Sequence, residues 1–111
     1  MSIETIRDIP QAPPEETLEQ RVRRLLASWR EQTGFLSSST ARVAHPAYRE
    51  LIGLGAAALP FLFRDMEQTL DGHLSSALVV ITGAQPVPHE EGGKIQKVAE
   101  RWLAWARENG Y

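Results

Sequence analysis

Apolar residues recur at helical spacing along most of this chain, and that recurrence is the strongest constraint on its fold. Leu18, Val22, Leu25, Leu26 and Trp29 fall at i, i+4, i+7, i+8 and i+11, one stripe of an α-helix. Leu59, Leu62, Phe63, Met66 and Leu70 form a second stripe. Leu74, Ala77, Leu78 and Ile81 form a third, and Ile95, Val98, Ala99, Trp102, Leu103 and Ala106 a fourth. A sheet needs alternation with a period of two and a partner for every strand. Val79-Val80-Ile81 is β-branched enough for a strand, but no second segment stands ready to pair with it. No hairpin or βαβ pattern occurs, so the expected fold is all-α, a compact bundle of four to five helices.

Proline and glycine set the expected boundaries. The first helix is expected over Pro14–Thr33, because a first-turn proline loses no needed N–H and Gly34 is a suitable stop. Phe35 and Leu36 are expected to fold back onto the core. Ser37, Ser38, Ser39 and Thr40 offer N-caps for a short helical turn through Ala41–Ala44. Pro46 disfavours helical geometry at His45. The next helix therefore runs from Pro46 to Leu54, buries Tyr48, Leu51 and Ile52, and ends at Gly55. A helix over Ala56–Leu70 tolerates Pro60 only in its first turn. Asp71-Gly72 marks a turn. A helix over His73–Thr82, closed by Gly83, precedes a loop over residues 84–93 and a last helix over Gly92–Glu108. Residues 1–13 read as a flexible tail, or as an extended docking segment presenting Ile3, Ile6 and Ile9. Residues 14–111 then make a single helical domain.

Composition narrows the functions. The chain has 111 residues, no cysteine, and 12 basic against 14 acidic side chains. Zero cysteine excludes a disulfide framework, a thiolate zinc site and a cysteine nucleophile. A net charge of −2 argues against non-specific nucleic-acid binding through bulk electrostatics. The uncharged run Leu51–Phe63 falls short of the ~20 residues of a membrane span, and Gly53, Gly55 and Pro60 interrupt it. No basic region followed by an apolar run opens the sequence, so a cytoplasmic address is expected.

Two resemblances follow. Gly55-Ala56-Ala57-Ala58-Leu59-Pro60-Phe61-Leu62 and Ser76-Ala77-Leu78-Val79-Val80-Ile81-Thr82-Gly83 resemble the two helices of a HEAT-type repeat. His73, Ser75 and Ser76 stand where such repeats carry an arginine early in the second helix. The resemblance implies a HEAT-like helical pair, over residues 55–83, at the centre of the bundle. A longer pattern covers about residues 24–111: His45-Pro46-Ala47-Tyr48, Ile52-Gly53-Leu54-Gly55, Ala58-Leu59-Pro60, Ala77-Leu78, Ile81-Thr82-Gly83, Pro86-Val87-Pro88, Trp102-Leu103-x-Trp105 and Gly110-Tyr111. It looks like a family of small uncharacterised prokaryotic proteins. The resemblance implies a prokaryotic origin and lends no catalytic residues.

Candidate chemistry is sparse. His45, His73 and His89 lie in separate segments with no second ligand at i+3 or i+4, so no metal and no cofactor are expected. His45 reads as a cap of the Pro46 helix or a core hydrogen bonder, and His73 and His89 read as solvated. An acid–base site of His45, Tyr48 and Arg49 is a minor alternative. Glu15, Glu16, Glu90 and Glu91 precede helices, where the dipole favours them, and Asp65 and Glu67 diverge on a helix surface. All basic residues but Lys94 and Lys97 are arginine. Arg21 and Arg24 share one helix face, and Lys94, Lys97 and Arg101 form a ridge on the last helix. Such ridges suit phosphates or a protein partner. Trp29 and Trp102 sit on apolar stripes, whereas Trp105 lies off its stripe as a core-edge residue or an interface anchor. Phe61, Val79 and Val80 add apolar surface beyond what the stripes need. The expected function is therefore a small protein–protein interaction module, not an enzyme: an adaptor, an antitoxin- or immunity-like inhibitor, or an accessory subunit. The expected contact residues are Phe61, Val79, Val80, Trp105, Arg21, Arg24, Lys94, Lys97 and Arg101, toward another protein or a second copy. The alternative is a nucleic-acid-associated accessory protein using the basic ridges.

Overall fold

A computed structural model describes residues 15–36 and 38–111. The readings of residues 1–13, of Pro14 and of Ser37 lie outside the described residues. Those described hold α-helix, short 3-10 turns and no strand. The helices are α1 (Leu18–Thr33), the five-residue α2 (Ser39–Val43), α3 (Pro46–Leu54), α4 (Leu59–Thr69), α5 (Ser75–Thr82) and α6 (Ile95–Glu108).

Capping chemistry explains where they begin. α1 starts at Leu18, later than expected, because Thr17 and Gln20 form a capping box. The Gln20 N–H donates to Thr17 Oγ1 at 3.1 Å and the Thr17 N–H donates to Gln20 Oε1 at 2.9 Å. Ser38 caps α2 through the Ala41 N–H. His45 caps α3 as expected, its Nδ1 accepting from the Ala47 N–H at 3.0 Å, with Pro46 at the first helical position. The expected helix over Ala56–Leu70 divides into a 3-10 turn, Gly55–Ala58, and α4, which places Pro60 in the first turn of α4. Gly55 leaves α3 at φ 68°, ψ −153°, a region essentially reserved for glycine. The expected helix at His73 likewise begins as a 3-10 turn, Gly72–Leu74. α6 starts at Ile95 rather than Gly92, after a further 3-10 turn over His89–Glu91.

Taken by contact, the five longer helices close a ring. α1 packs on α3, α3 on α5, α5 on α6, α6 on α4, and α4 back on α1. The two segments that resemble a HEAT pair supply α4 and α5, and α6 lies between them in this ring. The ring encloses one cluster that includes Val22, Leu26, Trp29, Leu51, Leu62, Met66, Leu78 and Trp102, all essentially inaccessible. Each buried indole N–H has an acceptor: Trp29 donates to the Arg42 carbonyl at 2.9 Å and Trp102 to Ser75 Oγ at 2.8 Å. Burying both without those acceptors would cost about 1–3 kcal/mol each.

Two expected core residues lie outside. Phe35 is 79% exposed. The corner after α1 is held through its backbone instead, since the Arg42 guanidinium donates to the carbonyls of Gly34 and Leu36. Ile95 is 36% exposed, because the first turn of α6 overhangs the core and burial starts at Val98. Gly34 ends α1 in right-handed geometry (φ −58°) rather than as a left-handed cap, and a Cβ there would meet the Arg30 carbonyl oxygen at 2.8 Å.

Candidate functional site

The segment between α4 and α5 is tightly constrained. Leu70 ends α4 at φ 51°, the only non-glycine residue with positive φ among the described residues. That conformation costs roughly 1–2 kcal/mol for a side chain of this kind. Gly72 follows, fully buried against α6, and a Cβ there would run into the Ile95 carbonyl oxygen and the Val98 side chain. Asp71 and His73 flank that glycine, so the close approach to α6 fixes where both side chains start.

Asp71 gathers three donors. Its Oδ1 accepts from the His73 backbone N–H at 3.1 Å and pairs with His73 Nδ1 at 2.9 Å. Its Oδ2 accepts from Arg30 Nε at 3.1 Å. Arg30 turns its two terminal nitrogens onto Asp65, at 2.8 and 2.6 Å. Burial alone would push the Asp71 carboxyl up. The His73 N–H, the Arg30 charge and the His73 ring outweigh it and hold the carboxyl below the usual aspartate range. Arg30 is held above its ordinary value, first by its hydrogen bonds to Asp65. Asp65, Arg30, Asp71 and His73 thus form one chain of contacts from α4 across α1 to the start of α5. His73 is a half-buried, oriented imidazole rather than the solvated one expected.

His73 lines a cleft of about 300 Å³. Arg42, Ser76, Val87, His89 and Ile95 line it as well, which brings together the end of α2, the start of α5, the proline loop and the start of α6. Tyr48 anchors this wall from behind. Its hydroxyl donates to the His73 carbonyl at 2.9 Å and accepts from the Ala77 N–H at 2.9 Å. That makes a core tyrosine the cap of α5, which has no side-chain cap of its own. Burial pushes the Tyr48 phenol up to about 12.

The expected contact residues separate into distinct places. Arg21 pairs with Glu50 at 3.3 Å, and Arg24 makes two bonds to Glu16 at 2.7 and 3.1 Å. Arg101 makes two bonds to Glu91, at 2.9 and 2.8 Å. Lys94 and Lys97 are exposed beside Glu100. Phe61 is half-buried on α4 with the Arg64 guanidinium 5.7 Å from its ring centroid. Val79 is half-buried and Val80 is 65% exposed. Trp105 takes the core-edge position, half-buried against Trp102, Phe63 and Tyr111 with ring centroids 5.6, 6.0 and 6.2 Å away. The acid–base trio does not assemble. The Tyr48 hydroxyl is engaged at α5, whereas the His45 ring bonds Ala47 and Gln32. Among the described residues no three His, Asp or Glu side chains gather as metal ligands.

Sequence reasoning missed the Asp65–Arg30–Asp71–His73 chain. The nearest signal was Asp71-x-His73, the spacing at which an aspartate caps a turn and meets a side chain two residues on. Nothing in the sequence linked either to Arg30. No family model matches the chain, and no curated protein or solved structure matches it. No helix among the described residues is long and apolar enough to cross a membrane.

Proposed function

We propose that this chain is a small helical protein-binding module, serving as an adaptor, an inhibitory binder or an accessory subunit. The observation that carries the reading is α5. Ala77 and Leu78 face the core and Val79 and Ile81 pack half-buried against it, yet the outer side still carries an apolar residue, Val80, 65% exposed. A surface helix that needs only one apolar face is ordinarily polar on the other. The resemblance of residues 55–83 to a HEAT-type helix pair supports the same reading, since such pairs serve mainly as binding scaffolds.

The test is Val80→Glu. The wild-type chain is expected to self-associate or to retain a partner in light scattering and affinity capture. The variant is expected to lose that association with an unchanged helical circular dichroism spectrum. A wild-type chain that is monomeric at every concentration and retains nothing sinks the proposal.

Nucleic-acid binding is the second reading, and it rests on the exposed Lys94 and Lys97. It is the weaker one because Arg21, Arg24 and Arg101 are each occupied by a carboxylate. Binding that appears at low salt and falls steeply as salt rises would favour it.

A further inference from the structure

We propose that the cleft beside His73 binds a small organic anion carrying a hydroxyl group, and that this hydroxyl donates to His73 Nε2. The Asp71 carboxylate sets the protonation pattern of the ring. Asp71 is held ionised by Arg30 and by the His73 backbone N–H, so its Oδ1 can only accept from the His73 ring. The ring proton of a neutral His73 therefore sits on Nδ1, and Nε2 carries a lone pair. Nε2 makes no hydrogen bond to any described residue, and the ring lines the cleft. The cleft thus holds one oriented acceptor that calls for a donor.

The rest of the lining supplies donors and apolar wall. Ser75 Oγ already accepts from the Trp102 indole, so its own proton is available to donate. Ser76, Gln85, His89 and Arg42 add further donors, and among the described residues no carboxylate lines the cleft. Glu91, in the neighbouring turn, is engaged by Arg101. That balance suits a carboxylate or comparable anionic group. Val43, Val87 and Val98 offer apolar contact for a short carbon chain. At about 300 Å³ the volume sits at the small end of ligand sites. A short hydroxy acid matches all three requirements: an acceptor-seeking hydroxyl, an anionic end and a few carbons.

The site is built before any ligand arrives. Arg30 fixes Asp71, Asp71 fixes the His73 ring, and Tyr48 fixes the His73 backbone. A ligand would therefore incur little cost for ordering the protein side.

The test uses 2-hydroxybutyrate and butyrate as a matched pair, read by the ring nitrogens of His73 in long-range proton–nitrogen NMR spectra. The free protein is expected to show the Nδ1–H tautomer. The hydroxy acid is expected to move the Nε2 resonance in a saturable way, and butyrate to bind roughly three- to tenfold more weakly, the worth of one hydrogen bond. His73→Gln is expected to abolish that discrimination. Val87→Trp, which fills the cleft from the loop side, is expected to block both ligands without touching the His73 chain. An Nε2–H tautomer overturns the proposal. So does equal response to the two acids, no response to either, or undiminished binding by Val87→Trp.

Discussion

Arg30 and Arg101 make the same kind of contact but tie together different parts of the fold. Each presents two nitrogens to a single carboxylate: Arg30 to Asp65 at 2.8 and 2.6 Å, Arg101 to Glu91 at 2.9 and 2.8 Å. Arg101 stands on the outer face of α6, and its pair joins only the turn before that helix to the helix itself. Arg30 reaches from α1 to α4 and, through Nε, to Asp71 before α5. One contact decorates a surface. The other holds three elements in register and orients a histidine. Distance alone does not separate them. The number of elements joined does, together with the deeper seat of the Arg30 guanidinium (31% exposed against 49% for Arg101), because a pair in water gains little over its separate hydrated ions, whereas a desolvated one is costly to break.

Removing each arginine in turn gives the largest expected difference. Arg30→Ala strands two half-buried carboxylates and is expected to lower unfolding stability by about 2–3 kcal/mol, read by urea denaturation. If it costs no more than Arg101→Ala, the distinction is wrong. Tyr48→Phe removes the other anchor of the same segment and leaves the Ala77 N–H without its acceptor. A loss of about 1–2 kcal/mol is expected. In the wild type the Tyr48 phenol is expected to ionise only near pH 12, measurable by ultraviolet absorbance.

The third test is acid. The Asp71 carboxyl is held below the usual aspartate range in the folded state. Its contribution to stability is therefore fully present above the unfolded value of ~3.9, and it is lost as pH falls through the lower folded value. Asp71→Asn is expected to be less stable at neutral pH and to flatten that acid limb in denaturation midpoints measured against pH. An acid limb unchanged by the substitution removes Asp71 from the account. The smallest effect is expected for Arg101→Ala, with a denaturation midpoint indistinguishable from wild type in low or high salt.

The helices were legible because their signals are local. The α1 stripe of Leu18, Val22, Leu25, Leu26 and Trp29 is the buried face, with Leu18 at its edge, and Pro46 and His45 define the start of α3 as their chemistry requires. Thr17-x-x-Gln20 was an equally local signal, overshadowed by the proline before it. Phe35 misled because hydrophobicity records a preference for burial but not whether the chain can deliver it. After α1 the backbone is tied by Arg42, and the ring points to solvent.

The candidate site was legible only in fragments. Arg30 and Asp71 are 41 residues apart, Arg30 and Asp65 are 35 apart, and Tyr48 and Ala77 are 29 apart. No periodicity links such positions. They meet because α1, α3, α4 and α5 close around one core and because Gly72 lets α6 approach. Fold class and most C-terminal helix ends followed from the order of residues, since apolar spacing and helix stops act over a few residues. Which charges are paired, which histidine is oriented, and which apolar side chains stay in water depended on how the helices close on one another. Desolvation and hydrogen-bond geometry exist only once distant segments are in contact.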